Sequence, residues 1–197
     1  LIFDIYFILM SETQATEEIG YHELKNPVDL FSCTINASLS QTMEKIMGND
    51  LFHTILSLVG DKDIVFSEWK DIQSYKERKI DYNKVYSVPV IGDYLYKASE
   101  IHRLFKVDNK EILEIISDLG KTPYASDFTP YVQLIFEPKD NSTIYSAKFE
   151  MVWKNEPFLI KGIITSKTTD AFKDFYIKFG DQLQKEFQPE NCVDTAM

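Results

Sequence analysis

The stretch from Asn155 to Phe187 constrains this chain most, because nowhere else do apolar residues keep a helical period for so long. Ile160, Ile164, Ala171, Phe172, Phe175, Phe179 and Leu183 recur at three- and four-residue steps. Lys161, Lys167, Asp170, Lys173, Asp174, Lys178, Asp181 and Lys185 fill much of the remainder. The pattern predicts one long amphipathic helix, with Asn155 capping its first turn, Glu156 at the positive end of the dipole and Pro157 where first-turn amides lack partners. Such a helix spans roughly 45 Å at ~1.5 Å per residue, so it must lie along an equally long apolar surface. Gly162 and Gly180 each cost about 1 kcal/mol in a helix interior, which predicts a bend or fraying near Gly180. The small polar run Thr165, Ser166, Thr168, Thr169 falls partly on the inward side. It either admits a close neighbour or leaves space for something that is not protein.

The surface for that helix comes from the middle of the chain, where the apolar period changes to two. Strands are expected at Asp63 to Trp69, Tyr75 to Tyr86, Tyr94 to Val107, Glu111 to Ser117, Tyr131 to Glu137 and Ser142 to Trp153. The last has the cleanest alternation: Tyr145, Ala147, Phe149, Met151 and Trp153 share one face, and Ser146, Lys148 and Glu150 the other. Before the meander, an extended segment runs from Pro27 to Ile35, followed by two short helices, one capped by Ser38 and ending at Met47, the other running from Asp50 to Val59 and stopped by Gly60. The expected class is α+β: a helix-grip fold in which a curved antiparallel sheet of six to seven strands wraps round the long C-terminal helix. Large inward strand residues opposite small mid-helix residues leave two outcomes open, a cavity between helix and sheet or a core closed by repacking.

Size and charge narrow the function. A chain of 197 residues supports one well-cored domain. A net charge of −10 makes nucleic acid an unsuitable partner and argues against a polybasic membrane anchor. Cys33 and Cys192 have no metal-ligand spacing and favour a reduced, intracellular setting. The tripeptides beginning at Asn36 and Asn141 match glycosylation sequons and are read as unmodified. Leu1 to Met10 is apolar but far short of the ~20 residues that cross a bilayer; it reads as an extra strand, the tail of an upstream domain or an appended segment. Ser11 to Lys25 reads as a polar linker.

Several stretches, in order, resemble one family. They are Asp63-Ile64-Val65 running to Trp69, Arg78-Lys79-Ile80-Asp81-Tyr82, Lys97-Ala98-Ser99-Glu100-Ile101-His102, Thr122-Pro123-Tyr124-Ala125-Ser126-Asp127-Phe128, and Lys154-Asn155-Glu156-Pro157-Phe158 leading into a helix. Together they resemble the VASt (Aster-type) domain, a StART-like sterol and lipid-transfer family, over about Leu30 to Phe187. The resemblance implies a sterol or other single lipid held under the C-terminal helix and moved between membranes. It also implies transient contact with a membrane surface, a cytosol-facing location at ER-associated contact sites, and a larger protein with a GRAM domain and a membrane anchor. Two departures stand out: Ser99-Glu100-Ile101-His102 where the family tends to carry Thr-Glu-x-Gln, and Phe158 where a tryptophan commonly follows the helix-entry proline. This reading divides the chain into an extension (1–25), a lipid-binding domain (26–190) and a tail (191–197).

The candidate lipid-binding residues are Tyr96, Tyr145, Phe149, Met151, Ile164, Thr168 and Phe175, with Glu100 and His102 offering polar contact to a hydroxyl, directly or through water. Val90 and Ile91 in one loop, and Tyr124 and Phe128 in another, are candidate lid or membrane-contact residues; the alternative is that both loops fold back on the core. No catalytic residue, metal or cofactor is expected. His22, His53 and His102 fall on a linker, a helix and a strand without metal-binding spacing, and no nucleophile elbow or phosphate-binding glycine pattern occurs. Two other classes stay open: an interaction domain with a filled interior, and a small-molecule hydrolase or cyclase on the same scaffold.

Overall fold

The computed structural model describes residues 20–88, 92–121 and 124–188. Helix formation begins where Ser38 accepts from the Gln41 amide and the Gln41 side chain returns to the Ser38 amide, a capping box that starts α1 (Leu39–Met47). Helix α2 (Asp50–Leu58) follows at once and stops at Gly60, whose φ of 92° suits a residue without a β-carbon. On either side lie β1 (Val28–Ile35) and β2 (Lys62–Phe66). Next come β3 (Lys70–Ile72), β4 (Tyr75–Val88), β5 (Gly92–Val107), β6 (Lys110–Asp118), β7 (Phe128–Lys139), β8 (Ser142–Trp153) and the C-terminal helix α3 (Lys161–Lys185).

The strands form one antiparallel sheet in the order β1-β8-β7-β6-β5-β4-β2, with β3 paired to the end of β4. Consecutive hairpins build the middle, and β1 returns to the far edge against β8. The sheet, the two short helices and the long covering helix make the expected helix-grip arrangement. Its eight strands exceed the expected six to seven for two reasons. Pro27 to Ile35 is a full edge strand, and the stretch read as one strand to Trp69 breaks after Phe66 and resumes as the three-residue β3.

Alternation sets which face is core. On β8, Thr143, Tyr145, Ala147 and Phe149 are buried, and Val132, Leu134 and Phe136 of β7 continue the same face. Against this wall α3 lays Tyr176, Phe179 and Leu183, all buried, and α2 adds Phe52, whose ring lies 5.1 Å from Phe179. Gly180 explains the closeness. An added β-carbon there would stand 2.3 Å from a Phe31 ring atom, so the glycine expected to fray the helix instead lets α3 lie against β1.

The start of α3 differs from expectation. The helix begins at Lys161, not Asn155, because the amides of Ile160 and Lys161 both turn back to the Pro157 carbonyl. Asn155 caps nothing; its backbone and side chain donate to Asp127.

Residues Tyr21 to Lys25, expected as linker, and Asn26 after them lie across the outer face of the sheet. His22 stacks on Tyr131 at 4.2 Å and bonds Glu150, whose carboxylate also accepts from the Lys25 and Asn26 amides. This strap covers Glu114, leaving it 1% exposed; burial pushes its carboxyl up despite the His22 amide and Arg103 beside it.

Candidate functional site

A cavity of about 570 Å³ lies between α3 and the β4-β5-β6 part of the sheet. Its position follows from how α3 is seated. The helix packs chiefly along β1, with further contact to β8 and α2, so its opposite flank faces β4 and β5 across the cavity. Tyr82, Lys84, Tyr96 and Glu100 come from the inward faces of β4 and β5, Ser117 and Leu119 from the end of β6, and Leu56 and Val59 from α2. From α3 come Lys167, Thr168, Ala171, Phe172, Asp174, Phe175, Tyr176 and Lys178. Apolar groups make most of the wall, and the exposed Lys167, Asp174 and Lys178 stand where it meets solvent.

Next to the lining residue Leu119, Gly120 seats the end of β6 closely against β5. Its φ is 61°, its amide donates to Asp118 Oδ1, and a β-carbon would stand 2.1 Å from the Lys97 carbonyl oxygen, so no other residue fits there without shifting the backbone.

Inside, one carboxylate faces the cavity. Glu100 Oε1 accepts from the Tyr82 hydroxyl at 3.1 Å, and Oε2 lies 2.9 Å from His102 Nε2. Burial alone would raise the Glu100 carboxyl, but the hydrogen bonds from His102 and the Tyr82 hydroxyl, with the charge of Lys84 and that of His102 once its ring takes a proton in acid, outweigh it and hold the group below its ordinary value. Burial pulls the His102 imidazole down, and Arg78 adds to this, while Glu100 opposes it. The consistent state is an ionised Glu100 accepting Nε2–H from a neutral His102. That leaves His102 Nδ1 a buried acceptor without a partner. A carboxylate so held can accept a further hydrogen bond from a ligand hydroxyl or amine, and it cannot donate one.

Behind this pair, Arg78 is 1% exposed and ties β4 to the end of α1. Its guanidinium donates to the Ile46, Met47 and Gly48 carbonyls and to Asn49 Oδ1, and it lies 4.5 Å from the centre of the Trp69 ring. Burial pulls it down to about 10, still above physiological pH, so it stays charged. Trp69 adds a bond of 2.8 Å to the Met47 carbonyl, which makes that tryptophan a structural residue.

The structure brings together some of the residues singled out in the sequence and separates others. Tyr96, Glu100, Thr168 and Phe175 line the cavity. His102 is fully buried behind Glu100, with its ring 4.7 Å from Phe52. Tyr145 and Phe149 belong to the packed core instead, and Met151 lies beneath the other flank of α3, 3.9 Å from Thr165 Oγ1. Ile164 is half-buried and outside the lining, because the first turns of α3 precede the cavity. Val90 and Ile91 lie outside the described residues. Tyr124 is exposed in a left-handed conformation, but Phe128 is not a loop tip: it opens β7, is 5% exposed and packs on Trp153 at 5.1 Å. Tyr82, Lys84 and Ala171 were missed. The inward alternation Arg78, Ile80, Tyr82, Lys84 held the signal for the first two. Lys84 forms an ion pair with the buried Asp61 at 3.6 Å, a pairing sequence spacing does not reveal.

Among the described residues no group of three or more His, Cys, Asp or Glu side chains could hold a metal ion, and no helix is long and apolar enough to cross a membrane.

The VASt family model, described as the VAD1 analog of StAR-related lipid transfer domain, matches residues 29–171. No curated protein matches the chain in sequence. Solved structures with a similar outline include a protein from Thermus thermophilus at 11% identity, covering 83% of this chain and 100% of that one with a TM-score of 0.49. A conserved protein from Geobacillus kaustophilus follows at 11% identity, covering 79% and 91% with a TM-score of 0.41.

Proposed function

We propose, from the premise that this chain belongs to the VASt family, that it binds one sterol-sized lipid beneath α3 and carries it between membranes. The carrying observation is the cavity of about 570 Å³ with a single inward carboxylate. That volume falls within the roughly 300–1,000 Å³ of single-ligand sites. In this reading the hydrocarbon body lies against Tyr96, Phe172 and Phe175, and the lipid hydroxyl donates to Glu100 directly or through one water. His102 and Tyr82 hold Glu100 in place. Because an ionised carboxylate only accepts, a free sterol is preferred over its ester or ketone.

Energetics favour a carrier. Enclosing about 400 Å² of apolar ligand surface is worth on the order of 10 kcal/mol at ~25 cal/mol per Å² before entropy costs, and leaving a bilayer forfeits a similar amount. Exchange is therefore nearly neutral, and no covalent step is needed. The setting we infer is cytosol-facing, at ER-associated contact sites, within a larger protein that supplies a GRAM domain and an anchor.

The test is sterol delivered from cyclodextrin, with complexes counted by native mass spectrometry. One sterol per chain, lost in Ala171→Trp with the melting temperature unchanged, supports the reading. No sterol complex with the unsubstituted protein, or full uptake by Ala171→Trp, overturns it.

A further inference from the structure

Three large apolar side chains stand almost free of the protein at the entrance to α3. Phe158 is 95% exposed, Leu159 86% and Ile163 64%. Scattered exposed apolar residues are ordinary; three within six positions at one corner form a patch. The corner is also held rigidly. Lys154 and Asn155 amides donate to the Asp127 carbonyl at 2.7 and 3.1 Å, the Asp127 amide donates to the Tyr124 carbonyl, and Phe128 packs on Trp153. Tyr124, 45% exposed, therefore belongs to the same rim. That rim borders the cavity, since Leu119 in the same connection and Lys167 on α3 both line it.

Charge selects the occupant. The chain as a whole carries −10 and is repelled by an anionic surface. From Lys154 to Thr169, however, three lysines (Lys154, Lys161 and Lys167) stand against one glutamate, Glu156. Lys161 is paired with Glu156 at 2.7 Å and lies 5.9 Å from the centre of the Trp153 ring, beside the apolar corner, which leaves the exposed Lys154 and Lys167 as the lysines in excess. An apolar tip with lysines beside it is the arrangement of an element that dips its hydrocarbon below a headgroup layer while its ammonium groups remain among the phosphates.

We propose that Phe158, Leu159 and Ile163, flanked by Lys154 and Lys161, form a docking tip for the surface of a bilayer containing anionic lipid. The proposal deepens the lipid-transfer reading and rests on it: docking by this tip sets the cavity mouth against the membrane. Seating is one-sided, because the opposite end of α3 is packed within the core.

The test uses the full chain and flotation with phosphatidylcholine vesicles, with and without phosphatidylserine. The unsubstituted protein is expected to float with the phosphatidylserine vesicles and weakly with the neutral ones. The double variant Phe158→Ser, Leu159→Ser is expected to lose tenfold or more of its vesicle partitioning while taking up sterol from cyclodextrin as before. Lys154→Gln with Lys161→Gln should remove the preference for phosphatidylserine. Flotation of the serine variant at the unsubstituted level overturns the tip. So does a concentration-dependent dimer in sedimentation that the serine variant lacks, which would make the patch an interface between copies of the chain. Loss of sterol uptake from cyclodextrin by the unsubstituted protein overturns the cavity reading instead, so the two failures are separable.

Discussion

The two halves of α3 are made of one continuous helix and behave as different materials. From Tyr176 onward it buries Tyr176, Phe179, Gly180 and Leu183 against β1, β8 and α2. From Lys161 to Phe175 no residue is buried, and the flank toward β4 and β5 borders the cavity. The difference lies in the neighbours. At Gly180 the missing side chain lets Phe31 and Tyr145 come close, whereas around Gly162 nothing lies within 4 Å of where a β-carbon would be. The same residue type tightens one half and leaves the other open. A glycine in a helix therefore reports close packing only when something occupies the space it vacates.

This contrast can be broken most directly in the packed half. Phe179→Ala is expected to cost about 3–5 kcal/mol, the range for emptying a core aromatic site, read as a lowered urea midpoint with unchanged slope. Gly180→Ala should cost about 1–3 kcal/mol from overpacking against Phe31, offset by up to ~1 kcal/mol of helix propensity. If it stabilises the protein, the close approach is wrong. Glu100→Leu, in the cavity wall, leaves the Tyr82 hydroxyl and His102 Nε2–H without their acceptor and should cost about 1–3 kcal/mol.

A smaller effect is the response to acid. A histidine whose folded value is lowered contributes stability in full above its unfolded value of about 6.5 and loses it as pH falls through the folded value. Glu100, also lowered, acts in the same direction below the ordinary carboxylate range. Stability should thus decline on acidification below about pH 6.5, and His102→Gln, which keeps a donor for Glu100, should remove the first part of the decline. An unchanged profile would mean that His102 is not held neutral. Smallest of all, Ala171→Trp in the open half should change stability by less than about 0.5 kcal/mol, in contrast to any comparable enlargement at Gly180.

How much of this could be read beforehand depended on whether the signal was periodic. The face of β8 was plain from Tyr145, Ala147 and Phe149, and the shared face of Glu100 and His102 follows from a spacing of two. The flank of α3 that meets the cavity was not plain. The stripe spans Ile164 and Phe175 alike, and only the lateral seating on β1 decides that Thr168, Ala171 and Phe175 line the space while Ile164 does not. Phe128 was misplaced because β7 starts three residues earlier than its alternation suggests, which converts a loop aromatic into a core one. The late start of α3 had the least sequence signal. Asn155 and Pro157 fit a first turn by type, and only the pull of Asp127 on Asn155 and the turn closed on the Pro157 carbonyl move the boundary. The apolar corner at Phe158 had no periodic signal of its own, since Phe158, Leu159 and Ile163 fall between or before the stripe positions of the expected helix.

Gly120 sets a limit on how this protein can breathe. Its backbone runs so close to the Lys97 carbonyl that an added β-carbon would overlap the oxygen, so the sill where β5 meets the end of β6 has no room for a side chain. The lower end of α3 is packed as well, so under the lipid-transfer reading proposed above a guest wider than the doorway would have to displace the unpacked upper turns, like a gate on one post. A substitution that stiffens the sill would then leave the rate of uptake unchanged, while one that pins those upper turns would slow it.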